Sequence, residues 1–147
     1  MKEIGGWRED MLSSQEQDLF FRLVTSGAVS IRDSRPLSVI RKRVGSISSS
    51  DISGNIVRLI YSLLEIREYL EEYDEVEYQE LINQLLFGKL RELANYELSL
   101  ATKLFSKIID PNFRPQISSV NSRVFVSIFK LVGFHKAHLV RSLFRSV

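Results

Sequence analysis

From Glu77 to Ile109 apolar side chains recur at helical spacing with no proline among them, and such a run commits a chain to helix before anything else is read. Leu81, Leu85, Gly88, Leu90, Leu93, Tyr96, Leu100, Leu104 and Ile108 form a stripe, widened by Ile82, Leu86, Phe87, Ala94, Ala101 and Phe105. An apolar face that broad needs cover on two sides. The spacing therefore predicts one long central helix over 77–109, centrally buried from Leu85 to Phe105. Gly88, Ala94 and Ala101 predict close approach by neighbouring helices. The fold expected is all-α, a single-domain helical bundle of about five to six helices around the central one.

The flanking segments carry start and stop signals for the other helices. Ser13-x-x-Glu16 reads as a capping box opening a helix over 14–26, with Leu19, Phe20, Leu23 and Val24 inward and Gly27 as its stop. Residues 1–12 read as a loose arm anchored by Trp7. Residues 28–35 fit a short strand or an extended linker, and the linker is favoured. Pro36 in a first turn, with Leu37, Val39, Ile40 and Val44, predicts a short helix ended by Gly45. After the serine-rich stretch 45–54, Ser50 and Asp51 offer N-cap chemistry to a helix carrying Ile56, Leu59, Ile60, Leu63, Leu64, Ile66 and Leu70. Asp74-x-x-Glu77 places a tight corner before the central helix, and Asp110-Pro111-Asn112 ends it. Ser118 to Asn121 can cap a last helical region, which Gly133 should kink or split.

With 147 residues, 44% of them hydrophobic, the chain suits one domain over 1–147. Cysteine is absent, which excludes disulfides and thiolate metal sites and suits a reducing compartment. The first ten residues are too polar for a signal peptide, and no apolar stretch reaches membrane-spanning length. A soluble, cytoplasmic protein without membrane contact is expected. Net charge is only +2, but it is unevenly spread. Glu65, Glu68, Glu71, Glu72, Asp74, Glu75, Glu77 and Glu80 face Arg67 alone, whereas no acid follows Asp110. A second basic cluster, Arg32, Arg35, Arg41, Lys42 and Arg43, is opposed by Asp33. A dipolar chain of this kind suits a subunit that meets an anionic partner on one side and its own kind on the other.

Chemistry is sparse. His135 and His138 stand one turn apart, but a metal site needs a third ligand, and the acid-free tail supplies none. The acidic run falls on the outward side of its helix, where carboxylates are normally solvated. No phosphate-binding glycine loop or G-x-S-x-G setting occurs. No enzyme activity, catalytic residue, metal or cofactor is expected. The basic residues are the better lead, since Arg123 with Lys130 and Arg141 with Arg145 share helix faces and could, with Arg41 and Arg43, hold phosphates irrespective of base. A merely solvated basic surface is the competing reading. Most aromatics fall at core positions, so backbone contact is favoured over base stacking.

Three short stretches carry a family likeness: Ser49-Ser50-Asp51-Ile52 at a helix start, Leu85-Leu86-Phe87-Gly88-Lys89-Leu90 in the central helix, and Phe134-His135-Lys136 in the last. Over roughly 45–140 the chain resembles the small helical, Csm-type subunit of type III CRISPR effector complexes. That family has an arginine where this chain has Ser53 and a proline where Gly88 stands. The resemblance implies a non-catalytic subunit that stacks in several copies along a ribonucleoprotein complex and supports guide and target RNA through its basic side chains. Lys89 and Lys136 come from the match. Arg41, Arg43, Arg58, Arg91, Arg123, Lys130 and Arg141 come from the charge pattern. The partners implied are other subunits of the complex, RNA backbone and further copies of the chain. The alternative is a helical protein-interaction subunit resembling the α-helical domain of the GINS replication complex, with no direct nucleic-acid contact and the acidic corner Glu68 to Glu80 as its docking surface.

Overall fold

The computed structural model describes residues 4–9, 11, 14–29, 31, 33, 35, 51–73, 76–118 and 121–145. Among these the chain is all-helical and no strand occurs. The helices are α1 (Gln15–Thr25), α2 (Ile52–Glu72), α3 (Val76–Leu93), α4 (Leu98–Ile108) and α5 (Arg123–Arg145). The short helix expected after Pro36 lies outside the described residues. The chain divides into two compact units, Met1–Ser62 and Leu63–Val147, with the division inside α2.

In the N-terminal unit, α1 starts one residue later than expected. Its N-cap is Ser14, which makes no side-chain capping bond. Gly27, at φ +83°, ends the helix in a Schellman turn: Ala28 N–H donates to Leu23 O and Gly27 N–H to Val24 O. The inward face is Asp18 and Leu19, whereas Phe20 and Val24 are exposed, contrary to the expected face. Trp7, the expected anchor, is exposed too. The arm is tied instead by Arg22, which donates to Ile4 O, to Gly6 O at 2.8 Å and to the buried Asp18 carboxylate at 2.6 Å. α2 begins as expected from Asp51, whose Oδ1 accepts Gly54 N–H at 2.9 Å.

In the C-terminal unit the expected continuous helix is two. After Leu93 the bonds shorten to three-residue spacing, Asn95 N–H to Glu92 O and Tyr96 N–H to Leu93 O, and α4 restarts from Glu97. Asn95 supplies the reason. Its amide donates back to Arg91 O and Glu92 O, taking carbonyls that a continuing helix would use. α4 packs on both α3 and α5. The core gathers on fully buried Phe87, with Phe105, Phe113, Phe125, Phe129 and Phe134 at centroid distances from 5.3 to 6.4 Å.

Ile82, Leu86, Phe87, Leu90, Leu93 and Ala101 are buried, but Leu81, Leu85 and Tyr96 are exposed, so the expected stripe is correct in kind and rotated in phase. Apolar residues surround α3 too completely for periodicity to choose a side, and the Phe87 ring takes the centre because rings from three other segments meet it there. Ala101 does sit in tight packing, whereas Gly88 faces open space and permits no close approach. Downstream, the Asp110 carboxylate accepts Asn112 N–H at 2.6 Å, turning the chain as its Asp-Pro-Asn sequence suggests. Ser122 caps α5 through Phe125 N–H, and Gly133, at φ 78° and ψ 177°, splits that helix as expected.

Candidate nucleic-acid interface

The first half of α5 turns Phe125 and Val126 inward, and helical geometry then places Arg123 and Lys130, seven residues apart, on its outer side. Both are exposed, as is Lys136 beyond the glycine break, and none of the three is ion-paired with a described carboxylate. The other expected contacts are differently placed. Lys89 is held by Glu92 at 2.8 Å, and Arg58 by Asp51 at 2.9 Å and Asn55 at 2.8 Å. Arg41 and Arg43 lie outside the described residues. In the same basic cluster, Asp33 grips Arg35 at 2.6 Å, which holds the Asp33 carboxyl below its ordinary value and the guanidinium above its own.

Arg91 is the largest departure from a simple surface reading. It is 6% exposed, its guanidinium carbon stands 3.7 Å above the Phe125 ring, and it donates to the Asn121 side-chain carbonyl. Arg91 and Arg141 line a concavity of about 180 Å³, and Arg141 also lines a neighbouring one of about 140 Å³ with Asn95 and His138. Two arginines fifty positions apart in sequence thus line one concavity, a convergence that only the tertiary fold supplies.

The two histidines do not form a pair. His135 is exposed, its Nδ1 3.1 Å from Thr102 Oγ1, whereas His138 is buried against the rings of Phe125 and Phe134 at 5.0 and 4.7 Å. Among the described residues no group of three metal-ligating side chains occurs.

Arg114 was missed as a site residue by the charge pattern. Gln84 fixes its segment, donating from Nε2 to Arg114 O at 2.9 Å and accepting Gln116 N–H at 2.9 Å. Arg114 and Lys130 flank a cavity of about 450 Å³ whose walls are mainly phenylalanine. The prolines at 111 and 115 marked an extended segment, but nothing in the sequence aimed it at Lys130. Set against protein-family descriptions, curated proteins and solved structures, the chain matches none.

Proposed function

We propose that this chain is a non-catalytic subunit that binds RNA through its phosphates within a multi-copy assembly, of the kind implied by the resemblance to Csm-type small subunits of type III CRISPR effectors. The observation that carries the reading is that Arg123 and Lys130 before the Gly133 break of α5, and Lys136 after it, are all exposed in a stretch where no acid follows Asp110. Exposed cations outside ion pairs are available to a polyanion, and of the three only Lys130 has an acid, Asp110, lining the same cavity. Val124, Leu131, Leu139, Leu143 and Phe144 are exposed on the same helix, which supports a position beside other chains.

The test is a low-salt titration of labelled single-stranded and duplex RNA with the wild type and with Arg123→Glu/Lys130→Glu/Lys136→Glu. Binding should be insensitive to base sequence, fall with a log–log salt slope of about 0.7 to 0.9 per phosphate contact, and be lost in the variant while its helical signal persists. Equal binding by both proteins, or none by either, overturns the reading. The GINS-like alternative draws support from Glu65, Glu68 and Glu72, which are exposed on α2. Affinity capture separates the two: replication subunits favour the alternative, CRISPR backbone subunits with short RNAs the first.

A further inference from the structure

The aromatic cavity beside Lys130 goes beyond phosphate contact. Phe105 and Phe134 stack at 4.5 Å with an interplanar angle of 11°, and Phe129 stands at 78° to Phe105, so two of the walls meet almost at a right angle. Phe113 completes the apolar lining. Phe87 is fully buried at the centre of the cluster, but Phe105 and Phe129 are only half-buried, and the cavity lies where they reach the surface. Its wall at Gly133 carries no side chain. A Cβ there would meet nothing within 4 Å, yet φ 78° with ψ 177° is a conformation essentially reserved for glycine, so the opening is built into the backbone. The volume of about 450 Å³ falls in the range of small-ligand sites, which are typically aromatic-lined with a few polar groups.

Charge at the mouth selects the ligand. Arg114 and Lys130 share the lining with Asp110, two cations to one carboxylate, and that carboxylate accepts Asn112 N–H. A planar ring carrying an anion fits such a site. We propose that the cavity receives one nucleotide of a bound RNA strand, the base lying against the phenylalanine rings and the adjoining phosphate against Arg114 and Lys130. This rests on the RNA-binding reading above and adds to it a base-dependent but sequence-tolerant contribution, because every base offers a face for stacking.

The test compares a labelled single-stranded RNA with an abasic strand of equal length and charge at low salt, using the full chain and Phe129→Leu, which keeps an apolar side chain but removes the ring. The wild type should bind the intact strand roughly 5- to 100-fold more tightly, the contribution of one stacked base. Phe129→Leu should lose most of that preference while retaining affinity for the abasic strand. Equal affinity of the wild type for both strands overturns the cavity proposal and leaves the phosphate reading standing. Absence of binding to either strand overturns both, and a cavity for a protein partner's aromatic side chain then takes its place. Full preference retained by Phe129→Leu also overturns the proposal. Should that variant not fold, photocrosslinking of the wild type to thiouridine-containing RNA decides: adducts within 105–114 or 129–134 support the site, and adducts only elsewhere overturn it.

Discussion

The two units of this chain are held by different physics. In Met1–Ser62 the buried apolar side chains among the described residues are Leu19, Ile56 and Ile60, and the arm is fastened by a polar node in which Arg22 joins Asp18 to two backbone carbonyls. In Leu63–Val147 the centre is a phenylalanine cluster, and its buried arginine is held by a ring and an amide. The polar node depends on direction and on every partner being present. The ring cluster depends on volume, tolerates half-exposed members, and leaves a cavity at its edge. That difference explains why the candidate site lies in the second unit.

Substitutions can break this contrast. The largest effect is expected from Leu93→Asp, which places a carboxylate at a fully buried position. The loss should be on the order of a small domain's entire stability, about 5–15 kcal/mol, seen as collapse of the helical circular dichroism signal. Asp18→Ala should cost about 3 kcal/mol, because Arg22 loses the carboxylate it was buried against. Proteolysis should then cut the arm first, while a near-ultraviolet phenylalanine signal from the second unit persists. If the aromatic signal falls in parallel, the two units do not differ in the way described.

Gly133→Ala is expected to cost about 1–3 kcal/mol through backbone strain alone, since no atom stands in the way of the new methyl. A denaturant midpoint unchanged from wild type would show that the break in α5 is not required. The smallest effect concerns Asp51. Its hydrogen bond to the Arg58 side chain, then that from Gly54 N–H, hold its carboxyl below the ordinary 3.8. A depressed carboxylate contributes stability above its unfolded value, and that contribution is lost as pH falls through the folded one. Asp51→Asn keeps a capping side chain but removes the charge. The gap between wild type and variant in urea melts should therefore be present at neutral pH and close on acidification below about 3.8. A gap that persists in acid would assign it to the cap geometry.

Much of this was legible in the chain. The helical period announced an all-α protein, Gly27 and Gly133 marked a stop and a break, and Asp51 marked a start, because each acts through its own backbone neighbourhood. The acid-free tail gave the exposed cations Arg123 and Lys130 in the same way, since a charge opposite an apolar helix face is directed outward by local geometry, whereas Lys136, also exposed, came from the family likeness.

What only the tertiary structure decided are the matters that depend on distant residues meeting. Periodicity could not choose between Leu85 and Phe87 for the core of α3, since both lie on apolar faces and the decision belongs to the rings of Phe105, Phe113, Phe125, Phe129 and Phe134. Charge pattern put Arg91 on a surface, and packing of α3 against the start of α5 put it over Phe125. The segment holding Arg114 reached Lys130 because Gln84, thirty positions upstream, binds its backbone. Local sequence sets the conformation and the facing of each element. Which face becomes interior, and which charges converge, is a property of the pairs, and a single strand of sequence does not contain it.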